Sequence, residues 1–243
     1  MIIVKLGGSI ITEKSRYKYF NKNNTINIVK QLKKLDKRLI IVHGGGSFGH
    51  IKSKEYNLPG HVNNKTLEGM SIVHNDMTEL NLNISRIFND NGMYNISIPP
   101  SSCIFGGNKN YDIFSKYASM NLIPITFGDV YMKDGENIGI YSGDNLVYDL
   151  SMMFKPEYTV FFSDVDGIYN KNPKKYKDAK LLNSINGNFQ FESIVDDVTG
   201  GIMNKYNIMK KISSLGIKSY IINGLFPERI MDIGKNDFIG TVI

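Results

Sequence analysis

The chain has 243 residues, room for one large α/β domain or two small ones with an ample core in either case. It is 42% hydrophobic and 21% charged, as ordinary globular proteins are, and no apolar run approaches the roughly 20 residues that cross a bilayer, so membrane insertion is not expected. The net charge of +6, from 29 basic and 23 acidic residues, comes from scattered lysines with a modest cluster at KNPKKYKDAK; without an aromatic-and-basic RNA motif or a recognition helix, a small anionic substrate suits this charge better than nucleic acid does.

In chain order, MIIVKLGGSIITEK begins at once as a strand, IIVKL, and has neither a basic leader nor a small-residue cleavage site. The single cysteine, Cys103, excludes an intrachain disulfide and a cysteine-rich zinc site, and a cytoplasmic location is the expectation. INIVKQLKKL has apolar residues at helical spacing, and RLIIVH reads as a buried strand. TLEGMSIVHNDMTELNLNISRIFNDNG predicts a long amphipathic helix that stops at Gly92. The strands YNISIP and LIPITF follow, then VYMKDGENIGIY, a hairpin around its Asp-Gly turn. YTVFFS, the helix MNKYNIMKKISSLG closed by Gly216, and the strands KSYIIN and FIGTVI complete the chain. Strands alternating with helices predict an α/β fold with a mostly parallel central sheet, into which the hairpin is inserted. Two lobes sharing one sheet and a single compact unit are both open.

Ligands of such sheets bind beyond the carboxyl ends of the strands. Polar, glycine-containing segments fall at or near those ends: KLGGSIITEK at 5–14, HGGGSFGH at 43–50, YSGDN at 141–145 and SDVDGIY at 163–169, while DVTGGIMNK at 197–205 runs into a helix. Glycine lets a backbone approach phosphate closely and aim successive N–H groups at its oxygens, and a helix start adds favourable dipole charge. One Gly-Gly pair alone reads as a tight turn; five such segments do not. Lys5, Lys14 and Lys205 lie near these loops as neutralising cations. There is no Walker GxxxxGK[ST], no GxGxxG turn and no HRD/DFG pair, so the cradle is of another type.

KLGGS, HGGG, SGD, SDVDGIY and TGGI followed by Lys205, in this order over nearly the whole chain, resemble the amino acid kinase superfamily. HGGGSFGH, Lys14, NGLFPERI and FIGTVI are similar to its isopentenyl phosphate kinase branch, chiefly the archaeal members; Asn145 departs from the second acidic residue common after SGD. The resemblance implies a three-layer αβα sandwich with the acceptor, isopentenyl phosphate, held by about residues 1–150 and ATP by about residues 151–243. It also implies Mg²⁺ carried in with ATP, no separate metal site, a homodimer through the long helix, and a product, isopentenyl diphosphate, made for isoprenoid biosynthesis of the mevalonate type. Other branches (uridylate, amino acid or phosphonate kinases) and a regulatory relative without catalysis are the alternatives.

Joining two phosphates needs in-line positioning and neutralised charge more than a general base, because the acceptor oxygen is already nucleophilic. The resemblance assigns Lys5 to the ATP β- and γ-phosphates, with Gly7, Gly8 and Ser9 as backbone donors beside it. Lys14, in the basic segment EKSRYKYFNKNN, is either a solvated lysine or a cation for the transferred group. Asp144 either orients Lys5 and Lys205 or caps a helix, and Gly143 faces the acceptor. Asp164 and Tyr169 are assigned to the nucleoside side, with Asp166-Gly167 a simple turn; Gly201 and Lys205 go to the ATP phosphates. The resemblance also aims Gly45 at the acceptor and Gly46 at ATP, and Ser47 is expected to cap the following helix; His50 either donates from Nε2 to the acceptor phosphate or packs on its neighbours, and His43 is expected to be structural. Val73, Met77 and Leu80 share one face of the long helix, and with Val130 and Ile140 they either wall an apolar pocket or belong to the core.

Overall fold

A computed structural model describes residues 1–185 and 200–243. The chain runs β1 (Ile2–Leu6), α1 (Gly8–Ile11), α2 (Lys22–Lys34), β2 (Leu39–His43), α3 (Gly46–Glu55), β3 (Gly60–His61), α4 (Asn64–Asp90) and β4 (Asn95–Ser97). The small ribbon β5 (Ile104–Phe105) and β6 (Asn108–Lys109) leads into α5 (Asp112–Ser119), β7 (Ile123–Phe127), β8 (Asp129–Met132) and β9 (Asn137–Tyr141). Then come α6 (Gly143–Phe154), β10 (Tyr158–Ser163), α7 (Gly200–Ser213), β11 (Lys218–Asn223) and β12 (Thr241–Val242).

Seven strands form one sheet in the order β12-β11-β10-β1-β2-β7-β4, parallel throughout except for β12 at the edge. β1 bridges the two halves of the chain, pairing β2 on one side and β10 on the other. Because side chains alternate along a strand, each buried strand feeds two cores. Ile2, Val4 and Leu6 join α1 to α4 on one face; Ile3, Ile40 and Val42 join α6 and α7 on the other. Each fully buried Ile, Leu or Phe contributes about 1.5–3 kcal/mol, so both layers are held by apolar burial rather than by surface charge. The result is a three-layer αβα sandwich.

α4 begins where Asn63 accepts from the Thr66 amide while the Thr66 hydroxyl accepts from the Asn63 amide, a reciprocal cap. It ends before Gly92, and α7 before Gly216, as the sequence predicts. The hairpin is present, but its turn is the four-residue loop 133–136, because Asp134 accepts from the Glu136 amide and the Asn137 side chain. It also stands outside the main sheet, in a three-stranded sheet with β3. YSGDN therefore follows a strand of this smaller sheet, a correction to its expected place at a main-sheet end. FIGTVI contributes only the two residues of β12, and α5 with the β5–β6 ribbon has no counterpart in the periodicity.

Candidate active site

The loops after β1, β2 and β10 leave the sheet side by side, still tied to their neighbours. The Gly44 amide donates to Leu6 O at 2.9 Å, Gly7 to Phe162 O at 3.0 Å and Gly128 to His43 O at 3.0 Å. Two of the loops touch backbone to backbone: a Cβ on Gly8 would stand 2.4 Å from the Gly46 nitrogen. Gly46 itself has φ +49°, and a Cβ there would stand 1.9 Å from Thr12 Oγ1. Only glycine fits at either position. The Thr12 hydroxyl stitches the contact, donating to Gly8 O at 2.7 Å and accepting from the Ser47 amide at 3.0 Å. Ser47 is thus not the cap it was expected to be; Gly45 occupies that position, and Ser47 Oγ is buried in the first turn of α3.

Above this seam lies a cavity of about 370 Å³. Most of the residues singled out from the sequence line it: the cations Lys5, Lys14 and Lys205; Gly7, Gly8 and Ser9; Gly45, Gly46 and His50; Gly143 and Asp144; Asp164 and Tyr169; Gly201; and Val73, Met77, Val130 and Ile140, but not His43, Ser47, Leu80 or Asp166. Residues 197–199 of the DVTGGIMNK segment lie outside the described residues.

Lys5 is next to last in β1 and shares its face with Ile3, so it projects toward α6 and α7. Only 7% exposed, it meets Asp144 at 2.5 Å. Ser142 caps α6 by accepting from the Asn145 amide, which leaves Asp144 free for the lysine; the two readings of this segment fall to different residues. Burial would raise the Asp144 pKa, but Lys5 and then Lys205 outweigh it and hold the carboxylate ionised. Lys205 donates to Ser163 Oγ at 3.1 Å. Desolvation, reinforced by repulsion from Lys5, brings its pKa down to about 8 against the pull of Asp144 and Asp164.

His50, on the first turns of α3, opens into the cavity. Desolvation, then Lys14 and Lys5, lower its pKa, so the ring is neutral at pH 7. His43 is fully buried, stacks on Phe127 at 5.1 Å and contacts Asn81; burial brings its pKa to about 4, the signature of a structural histidine. Asp164 accepts from Ser9 Oγ at 2.9 Å and from Lys174. Burial opposes its ionisation, yet these partners and the charge of Lys14 hold its pKa near 2. Lys14 thus acts on groups of both halves of the cavity, His50 and Asp164.

The Tyr169 hydroxyl donates to Asp166, which also receives Asn223 and Arg229. Asp166 is therefore an anchoring carboxylate rather than the simple turn residue expected. At the opposite end Val73, Met77 and Val130 are buried and Ile140 is partly open. Val73 and Met77 belong to the core and to the cavity wall at once, whereas Leu80 is core alone. The two readings of this helix face are not exclusive.

Sequence reasoning passed over Asp129, Lys174 and His74. Asp129 lines the cavity and takes a 2.6 Å contact from His74 Nδ1 on α4, tying the two apolar walls together. Its signal was present: FGDV, like the chosen loops, is glycine and a polar residue straight after a buried strand. Lys174 was visible only as part of a charge cluster. Among the described residues no three His, Cys, Asp or Glu side chains gather to hold a metal ion. The cavity carboxylates Asp144 and Asp164 are committed to lysines.

Comparison with known proteins agrees with this architecture. The profile of the amino acid kinase family matches residues 1–223. The isopentenyl phosphate kinase of Thermoplasma acidophilum is 46% identical over the full length of both chains, and that of Methanothermobacter thermautotrophicus is 31% identical over 95% of this chain and 93% of its own. The crystal structure of the T. acidophilum enzyme in its product complex superposes with a TM-score of 0.92 at 44% identity, covering 100% of this chain and 99% of that one. A UMP kinase structure from Ureaplasma parvum, 14% identical with a TM-score of 0.64, shares the fold. The loops, the sheet order and these relatives together make this chain a member of the amino acid kinase family, in its isopentenyl phosphate kinase branch.

Proposed function

We propose that this chain transfers the γ-phosphoryl group of ATP to isopentenyl phosphate, yielding isopentenyl diphosphate and ADP for isoprenoid synthesis. The observation that carries this reading is a single cavity with cations and backbone N–H groups at its centre and Val73, Met77, Val130 and Ile140 at one end. That end suits a short hydrocarbon tail; an amino acid would need charged partners for its carboxylate and amine, and the acid nearest these walls, Asp129, is already taken by His74.

A phosphate oxygen of the acceptor forms the new bond to the γ-phosphorus while the bond from that phosphorus to the β–γ bridging oxygen breaks, leaving its electron pair on ADP. Lys5, oriented by Asp144, and Lys205 neutralise the ATP phosphates, aided by Gly7, Gly8, Gly46 and Gly201. Lys14 meets the transferred group, and Gly45, Gly143 and neutral His50 hold the acceptor phosphate. Asp164 and Tyr169 border the nucleoside. Mg²⁺ belongs with ATP; among the described residues, Asp144 and Asp164 beside the proposed phosphate site are each paired with a lysine. On this reading the acceptor sits against about residues 1–150 and ATP against about residues 151–243, with β1 serving both. A cytoplasmic homodimer through α4, whose Leu67 and Leu82 are exposed, completes the proposal; a monomer by light scattering would remove its last part.

Incubating the protein with Mg-ATP and isopentenyl phosphate, uridylate or acetylglutamate tests the substrate. Isopentenyl phosphate is expected to turn over fastest, and faster use of either competitor would overturn the assignment. His50→Ala is expected to lower kcat/KM for isopentenyl phosphate by about ten- to a hundredfold, the worth of one hydrogen bond to a charged group. His50→Gln keeps an N–H donor and loses less. Equal losses would point to proton transfer instead.

Lys205 supplies a pH test. Its pKa in the free protein is about 8, and bound phosphate raises it. ATP affinity is therefore full below about pH 8 and declines as pH rises above that value, by up to about tenfold per unit. Calorimetry at pH 8 in buffers of different ionisation enthalpy should register proton uptake on ATP binding, and Lys205→Arg should abolish it. Proton-silent binding by the wild-type protein contradicts the assignment.

A further inference from the structure

The loop that carries Lys14 is closed at its base, where Thr12 bridges Phe20, and the Glu13 amide donates to Tyr19 O at 3.2 Å. Nothing at the base fixes how the far side of the loop lies over the cavity. That side is held elsewhere. The Tyr17 hydroxyl donates to Asp76 Oδ2 at 2.6 Å, and the Lys18 ammonium meets Asp76 Oδ1 at 3.1 Å and also Glu79. Asp76 is a carboxylate on α4, only 5% exposed, and each of its two oxygens is taken by this one loop. Lys18 is in the left-handed region, φ +57°, a conformation that costs a residue with a side chain and persists only where its surroundings impose it. Lys52, on the same helix as His50, lies 5.2 Å from the centre of the Tyr17 ring.

A carboxylate buried on a helix is costly when its partners leave, so lifting the loop would strand Asp76. Seating the loop is what satisfies it. In sequence Asp76 falls between Val73 and Met77, the two α4 residues of the apolar wall. The helix that walls the proposed acceptor site thus also holds down the loop bearing the proposed transition-state cation.

We propose that Asp76 is a positioning residue for phosphoryl transfer, which through Tyr17 and Lys18 holds the 13–19 loop so that Lys14 stands over the reacting phosphates. The proposal rests on the role given to Lys14 above. Asp76 touches no substrate; it acts through the loop. A displaced cation stabilises the transition state less while leaving bound ATP nearly as it was, so the effect belongs in kcat.

The test is a double-mutant cycle with Mg-ATP and isopentenyl phosphate. Asp76→Ala is expected to lower kcat by about ten- to a hundredfold with the KM for ATP changed less than about twofold. In a Lys14→Ala background the same substitution should lower kcat no further, because there is no cation left to position. Tyr17→Phe, which keeps the ring and the Lys18 pair, gives a smaller loss of kcat that likewise vanishes without Lys14, and it serves should Asp76→Ala fail to fold. Equal losses in the presence and absence of Lys14 would overturn the proposal and make Asp76 a support of the pocket wall. So would unchanged kcat in folded Asp76→Ala or, where that variant does not fold, in Tyr17→Phe. Wild-type kcat in Lys14→Ala alone would instead overturn the role of Lys14, a different result from either.

Discussion

Lys5→Met is expected to lower kcat by about a thousandfold, the upper range for removing one preorganised group that meets developing charge. Two effects combine. The transferred group loses a cation at the centre of the cavity, and Asp144 remains, nine-tenths buried, without its 2.5 Å partner. Breaking one side of a buried ion pair costs about 3–5 kcal/mol of stability, so the melting temperature should fall as well. The double variant Lys5→Met/Asp144→Asn separates the two effects: it should recover much of the stability and little of the activity. Single-turnover phosphoryl transfer and a urea melt measure both. A loss in kcat of less than about tenfold in Lys5→Met would place the lysine outside the reaction.

The second large effect belongs to a residue with no side chain. Gly46→Ala puts a methyl group 1.9 Å from Thr12 Oγ1 and 2.7 Å from Gly8 O, at φ +49°. The backbone strain alone costs about 1–3 kcal/mol, and relieving the clash requires the Thr12 hydroxyl to give up the bonds that join the two loops. Both substrates should suffer together: kcat/KM for ATP and for isopentenyl phosphate should each fall by about a hundredfold or more. Gly135→Ala, in the hairpin loop with nothing within 4 Å of the added carbon, is the control and should behave as wild type. If Gly46→Ala keeps both values, the contact between the loops does not set the geometry of transfer.

The parts of this molecule that were legible in advance share a cause. β1, β2, β10 and β11 are short, largely apolar and bounded by glycine or polar residues, because each is buried on both faces. The glycine loops announced themselves because side chains are missing where a backbone must come close. What stayed hidden depends on partners far apart in the chain. Asp76 reads as one more acid on an amphipathic helix, and its burial is a property of the 13–19 loop folding onto it. The His74–Asp129 pair joins residues 55 apart, and no periodicity connects a helix to a hairpin. The β5–β6 ribbon and α5 are too short for a repeat to establish itself, and their small hydrogen-bonded turns are fixed by tertiary context. Asp166 was read locally, as half of an Asp-Gly turn, whereas two of its partners, Asn223 and Arg229, lie 57 and 63 residues away.

The seam between Gly8 and Gly46 has a consequence for how such an enzyme can change. There the β1 and β2 loops meet backbone to backbone and are tied by the Thr12 hydroxyl, so the proposed spacing between donor and acceptor phosphates owes nothing to the side chains of the apolar wall. The apolar wall is built from other parts, α4 and the β8–β9 hairpin, joined to each other by His74 and Asp129. Drift at Val73, Val130 or Ile140 can therefore reshape the tail that is accepted while the reacting atoms keep their alignment. Selection for a new substrate has somewhere to act that does not first destroy the chemistry, and one cradle can serve a lineage whose acceptors have little in common beyond an anionic head.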